Sequence, residues 1–392
     1  MKYLKIMKRL FCLYFSVTFM SLCSLTSCNG NNSSQKTSSE EKLNTPQEIV
    51  DLINKVNNNW QLAYPQPSNS FWHPAAYHTG NIAAYEITNN NQFKNYSIAW
   101  AEHNEWKGAK SDNKDEWKYS YGETDEYVLF GDWQICFQVY IDLYNMDKDE
   151  KKIARAKEVM KYQMSTSDKD YWWWADGLYM VMPVMTKLYN ITRDREYLDK
   201  LYEYFSYARD LMYDTESKLF YRDAKYIYPK HKTKNELKDF WARGNGWVFA
   251  GLAKVLQDLP QNDSHRGEYI EIYKDMAKAL ADSQQPEGFW SRSILDLEHA
   301  PGFETSGTAF FAYGYLWGVN NGLLDKNEYE ATISSAWKYL TKTALQEDGI
   351  VGYVQPIGER ADQHKNVGAE TTADFGVGAF LLAASEMYKY VK

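Results

Sequence analysis

The chain has 392 residues, 44% of them hydrophobic, and a formal net charge of −8. That length supports one large domain or two ordinary ones around a sizeable core, and the scattered acidic residues with no basic block argue against nucleic acid as a partner. Aromatic residues make up 16%, with 14 Trp and 32 Tyr. Flat aromatic faces stack on sugar rings, so carbohydrate is the first ligand class to consider, with simple packing as the alternative.

At the N-terminus, Lys2, Lys5, Lys8 and Arg9 precede an apolar run from Phe11 to Leu25 that is short for a mature spanning helix, and "LTSC" ends at Cys28. The pattern resembles a bacterial lipobox. Residues 1–27 are therefore expected to be a lipoprotein signal peptide, with Cys28 acylated and attached to a membrane; an ordinary secretory signal is the alternative. Residues 28–44, rich in Ser, Asn, Gln, Lys and Glu, are expected to be a flexible tether, and residues 45–392 the folded domain. The expected location is that of an exported bacterial lipoprotein, on the periplasmic face or the cell surface of an outer membrane. Cys12 and Cys23 leave with the signal, so Cys136 remains without a disulfide partner.

From Thr45 onward apolar residues recur at helical spacing, and six stretches share one pattern. They begin "TGNIAAYEITNNN", "DWQICFQVYIDLYN", "DGLYMVMPVMTKLYN", "NGWVFAGLAKVLQDLP", "SGTAFFAYGYLWGVNN" and "DFGVGAFLLAASEMY". Each opens on a small or polar residue, continues as a helix of small and aromatic residues, and usually turns at Asn or Asp into a more charged helix. Six such hairpins predict an all-α ring with charged helices outside. Closure rather than an open solenoid follows from a last unit that carries no polar capping repeat. In a ring, Asp132, Asp176, Arg243, Asn245 and Thr305 converge on one mouth.

Several residues there are candidates for chemistry. Asp176, in "YWWWADGLYMVMPV", sits near a helix start, where the dipole favours its charge, and beside Trp172, Trp173 and Trp174, which favour its neutral form. Those opposed pushes suit a group that gives and retakes a proton, and a helix N-cap is the alternative. Asp132, in "FGDWQICFQVY", is a second carboxylate in equivalent register. In "FWARGNGWVFAGL", Arg243 has the fork to hold a planar carboxylate, with Trp247 one turn on; a structural Arg bridging loops is the alternative. Arg222 and Asp223 of "FYRD" either serve the pocket or pair with each other at the surface. Glu304 and Thr305 read as caps. His73, in "FWHPAAYHTG", either lines the pocket or is a satisfied loop histidine. Motifs for metal, nucleotide and Ser-hydrolase chemistry are missing from the sequence, so no metal or cofactor is expected.

Four ordered motifs, "WWWADGLYMVMPV", "FWARGNGWVFAGLAKVLQDLP", "PGFETSGTAFFAYGYLWGVNNGLLD" and "GYVQPIG…DFGVGAFLLAASEMY", resemble glycoside hydrolase family 105, the unsaturated rhamnogalacturonyl hydrolases, related to family 88. The likeness runs from about Asn57 to the C-terminus. It implies an (α/α)6 barrel and a substrate that is an oligosaccharide left by a polysaccharide lyase, ending in a 4,5-unsaturated uronic acid. It further implies Asp176 and Asp132 as the catalytic pair, with Trp174, Arg243 and Trp247 against the sugar. Trp172, Arg222 and His73 complete the expected contacts, "FYRD" standing where some members carry a histidine. Two other classes are compatible with the composition: a non-catalytic glycan-binding surface lipoprotein, and a toroidal sugar epimerase, whose chemistry usually relies on paired histidines.

Overall fold

The helical periodicity is realised in twelve α-helices among the described residues of the computed structural model, 44–364 and 366–392. They form one compact unit. Six are inner: α2 (Trp72–Thr88), α4 (Cys136–Asp147), α6 (Ala175–Thr192), α8 (Ala242–Asp258), α10 (Thr305–Asn320) and α12 (Asp374–Val391). Six return on the outside: α1 (Pro46–Ala63), α3 (Asn91–His103), α5 (Lys151–Ser165), α7 (Glu196–Met212), α9 (Arg266–Ala281) and α11 (Lys326–Tyr339). A two-residue hairpin, β1 (Tyr213–Asp214) with β2 (Leu219–Phe220), follows α7.

Burial separates the two rings. In α10 every residue from Thr305 to Gly318 is buried, whereas α11 buries only Tyr329, Ile333, Ala336, Trp337 and Tyr339. The first pattern belongs to a helix covered all round, the second to an amphipathic helix with a wet face. Three inner helices end on a left-handed residue, Asn89, Lys148 and Arg193, which stops each helix and turns the chain outward.

Each inner helix packs on the next, and α12 packs back along α2 to close the ring. Two glycines permit that closure. A Cβ on Gly80 would stand 2.1 Å from the carbonyl oxygen of Gly378, and one on Gly378 would stand 2.4 Å from that of Ala76. The outer partner of α12 is α1, so the sixth hairpin joins the two ends of the domain.

The first repeat begins earlier than expected. Helix α2 starts at Trp72 rather than Thr79, because Pro74 falls in the first turn, where its missing N–H costs nothing. Thr79 lies mid-helix and its hydroxyl donates to the Ala76 carbonyl. Cys136 is a buried free thiol. Residues 1–43, including the expected signal peptide, Cys28 and most of the tether, lie outside the described residues. No described helix is long and apolar enough to cross a membrane.

Candidate active site

Because an outer helix separates each inner helix from the next, the inner helices run the same way and their N-termini share one mouth. Asp176 is the second residue of α6, with Trp174 at the N-cap, and Asp132 lies in a short helical turn, Gly131–Trp133, ahead of α4. Neither aspartate holds the N-cap position, which Phe130 and Trp174 occupy, so the N-cap alternative falls. Asp176 is 9% exposed and Asp132 7%, and Asp176 Oδ2 is buried without a hydrogen-bond partner. A buried carboxylate oxygen left without a hydrogen-bond partner is costly, and its persistence points to function.

Arg222 faces Asp176. Its Nε lies 3.6 Å from Asp176 Oδ2, and that Nε is likewise buried with no hydrogen-bond partner. Local structure fixes the pairing. Trp174 and Asp223 form an antiparallel bridge, and the Ala175 N–H donates to the Arg222 carbonyl at 2.8 Å, which ties the chain after β2 to the start of α6. Arg222 Nη1 donates to Asp223 Oδ2 at 2.6 Å. This pair is not at the surface: the side chains are 14% and 3% exposed. The guanidinium also lies over Trp173, 5.8 Å from the ring centre.

Burial, then the neighbouring charge of Asp176, pushes Asp132 well above the usual carboxylate range, with Arg222 opposing. Asp176 is raised by burial too, but Arg222 and then Arg243 hold it back. Burial thus raises both carboxylates and Arg222 opposes the rise in both, with Arg243 acting on Asp176 as well.

The aromatic residues divide. Trp174 is buried against Phe130, ring centres 4.9 Å apart. Its ring occupies a slot between Gly131 and Gly177, where a Cβ would come within 3.1 and 3.2 Å of it. Half-buried Trp173 lies beside it. Trp172 does not face the mouth: it is fully buried and packs edge-on against Tyr204. Trp247 is also core, sealed by Tyr179 at 4.8 Å and Phe310 at 4.3 Å, so it offers no free face for a sugar.

Arg243 has a task other than the expected one. It is 1% exposed. Nη1 donates to the Gln355 carbonyl and Nη2 to that of Pro356, with the guanidinium between Trp241 and Phe375. Burial lowers its pKa to about 10, which leaves it cationic at neutral pH. The fork is thus closed on backbone, and it anchors the segment that crosses the mouth. The bridging alternative is the one realised. Gln355 reinforces the anchor: it accepts from Trp241 Nε1 at 2.8 Å and donates to the Gln363 carbonyl at 2.8 Å. Glu304 caps α10, accepting from the N–H groups of Ser306 and Gly307, and Thr305 donates to the Gly352 carbonyl.

His73 stands in the first turn of α2, not in a loop. Its Nδ1 is 2.6 Å from Asp374 Oδ2, and the ring lines a cavity beside the mouth. Sequence reasoning missed Trp173 as the tryptophan over Arg222 and Glu359, 3.7 Å from Arg222 and 2.7 Å from Lys225. It also missed Glu123, whose charge adds to the upward push on Asp132. Glu123 and Glu359 sit on irregular segments with no periodic signal, whereas the adjacency in "FYRD" did suggest the Arg222–Asp223 pair, though at the surface.

Six helical hairpins closed into a ring, with two buried carboxylates at the mouth, define a toroidal glycoside hydrolase. The sequence profile of Glycosyl Hydrolase Family 88 matches residues 36–391, and the chain belongs to that family. It is 32% identical to the unsaturated 3S-rhamnoglycuronyl hydrolase of Formosa agariphila over 95% of this chain and 98% of that protein. A solved family 88 glycosyl hydrolase from Bacteroides vulgatus is 55% identical, with a TM-score of 0.87 over 88% of this chain and all of the other. Another solved structure, described as a polysaccharide lyase, is 63% identical with the same TM-score, over 88% of this chain and 98% of that one. The (α/α)6 barrel and the glycosidase class expected from the motifs both stand, with family 88, the related family of the resemblance, as the one matched.

Proposed function

We propose that this hydrolase releases a 4,5-unsaturated uronic acid from the non-reducing end of lyase-generated oligosaccharides, with Asp176 as proton shuttle and Arg222 as reader of the substrate carboxylate. The observation that carries the reading is the facing pair of buried, unpartnered atoms, Asp176 Oδ2 and Arg222 Nε, 3.6 Å apart. An arriving carboxylate gives Arg222 Nε its missing acceptor. The guanidinium charge is then shared, its hold on Asp176 weakens, and Asp176 takes up a proton where it is needed.

The double bond and ring oxygen of the substrate form a vinyl ether. Asp176 delivers its proton to carbon 4, leaving an oxocarbenium ion at carbon 5, and water attacks there while the Asp176 carboxylate takes the water's proton. The hemiketal opens to a ketone at carbon 5, and the hemiacetal left at carbon 1 collapses to release the aglycone. Attack at the anomeric carbon by a carboxylate pair, as in ordinary glycosidases, is not required. Asp132 is buried beside Asp176, and burial and that neighbouring charge both favour its neutral form. The rhamnose-linked substrate named for the Formosa agariphila relative makes a rhamnose leaving group the first to try.

The relative described as a polysaccharide lyase favours a second reading, β-elimination. Elimination creates the conjugated acid and raises ultraviolet absorbance, whereas hydration destroys it. Purified protein with an unsaturated rhamnose-linked disaccharide should lower the absorbance and release rhamnose. A rise in absorbance on the intact polysaccharide, with no effect on the disaccharide, would establish the lyase reading instead.

The lipobox pattern supports membrane attachment through Cys28, which would hold the enzyme where exported lyases act. Cys28→Ser should move the protein from the detergent phase to the aqueous phase with turnover unchanged; continued membrane partitioning would refute the anchor.

A further inference from the structure

Three carboxylates surround the Arg222 guanidinium, and they are held differently. Asp223 accepts from Nη1 at 2.6 Å, and Asp176 lies 3.6 Å from Nε. Both belong to the frame that ties the chain after β2 to the start of α6. Glu359 comes from the segment 355–364, and its Oε2 stops 3.7 Å from Nη1, too far for a hydrogen bond. Lys225 holds it there: Nζ donates to the same Oε2 at 2.7 Å. The backbone beneath is fixed as well. Arg243 holds the carbonyls of Gln355 and Pro356, Arg292 Nη1 donates to that of His364 at 2.7 Å, and the Glu359 N–H donates to Gln363 Oε1 at 2.9 Å.

Burial pushes the Glu359 carboxyl up, but the hydrogen bonds of Lys225 and Tyr226 and the charges of Lys225 and Arg222 outweigh it and hold the group below the usual carboxylate range, so it is anionic at neutral pH. A negative charge thus stands one guanidinium away from Nε, the atom that awaits the substrate carboxylate. That charge opposes the binding Arg222 provides, and the chemistry supplies a reason for it. Hydration changes carbons 4 and 5 and leaves the carboxyl group untouched, so Arg222 alone would hold product as firmly as substrate. A tighter grip of that kind lowers KM without raising kcat, and it delays release.

We infer that Glu359 is a positioning residue that acts through Arg222: its charge, held off by Lys225, loosens the grip of Arg222 on uronyl carboxylates so that product leaves. The inference rests on the reading of Arg222 as the group that binds the substrate carboxylate. Lys225 and Glu359 then have opposite effects, although they form one ion pair. Without the Glu359 charge, Arg222 binds carboxylates more tightly. Without Lys225, the Glu359 carboxylate is free to close on Nη1 and compete.

The test measures KM for an unsaturated disaccharide, and the inhibition constant of the uronic acid product collected from the wild-type reaction, in wild type, Glu359→Gln and Lys225→Gln. The two side chains are 39% and 58% exposed, so neither exchange empties the core, and an unchanged Tm checks folding. Glu359→Gln should lower both constants together by about two- to fivefold, the scale of a partly exposed charge pair, and Lys225→Gln should raise both. Raising salt to about 0.5 M should shrink both shifts. A bridge that merely ties the segment in place would move KM the same way in both variants, since either exchange breaks it. That result, or an unchanged KM in Glu359→Gln, would overturn the inference while leaving the hydrolase intact. Wild type that does not consume the disaccharide would overturn the hydrolase reading and this inference with it.

Discussion

Replacing Arg222 by Gln should shift the pH–rate profile upward. Two unit charges 3.6 Å apart interact by roughly 4–5 kcal/mol at an effective dielectric constant of about 20. That is an upper bound, because the side chains keep 14% and 12% exposure and Arg222 is shared with Asp223 and Glu359. About a third to a half of it, at about 1.4 kcal/mol per unit, corresponds to roughly one to two pH units. The sign follows from the charge: without the guanidinium, ionising Asp176 or Asp132 becomes harder, so both limbs of the kcat profile move to higher pH. The assay is loss of substrate absorbance from about pH 4 to 9. KM should rise as well, since the carboxylate loses its partner. The Gln variant also leaves Asp223 buried without its partner, so Arg222→Lys, which keeps a charge, is the companion; its limbs should stay within about half a unit while KM rises. A folded Gln variant with unmoved limbs would refute the electrostatic coupling.

Asp132→Asn should raise Tm at pH 7 by a degree or more, because burial lifts the folded-state pKa of Asp132 above its unfolded value. A group raised in this way contributes stability at low pH that is lost as pH climbs through its folded pKa, so the Tm advantage of Asn should vanish below about pH 4; an advantage independent of pH would exclude this cause. Gly80→Ala should lower Tm by at least a few degrees, since its Cβ would stand 2.1 Å from a carbonyl oxygen across the α2–α12 seam. Gly267→Ala in α9, where a Cβ meets nothing within 4 Å, should be neutral or stabilising by about 0.5–1 kcal/mol. Equal effects in calorimetry would show that the seam is not close-packed.

Helix type and number were legible because buried inner helices advertise themselves: stretches such as "SGTAFFAYGYLWG" have no polar face to put in water. The starts were less legible. The first unit was read from Thr79, which left out the first two turns of α2, and the pairing of α1 with α12 joins residues about 300 positions apart, beyond any local pattern. At the site, Asp176 was legible from its tryptophans and Asp132 from its register. Arg243 was not, because a buried guanidinium bonded to backbone carbonyls and one waiting for a ligand look alike in sequence. Trp172 and Trp173 are adjacent and chemically identical; only the bridge between Trp174 and Asp223 decides which of them faces Arg222.

The central claim is that Asp176 moves the proton to and from the substrate, and its most direct measurement is single-turnover absorbance loss by purified Asp176→Asn with an unsaturated disaccharide, alongside the Kd of that disaccharide. An amide can neither give nor retake the proton but fills the same space between Trp174 and Arg222. The account predicts a rate lower by about 10²–10⁴-fold or more with Kd changed only severalfold. A variant that keeps a tenth of the wild-type rate, or loses rate only in proportion to lost binding, would contradict it.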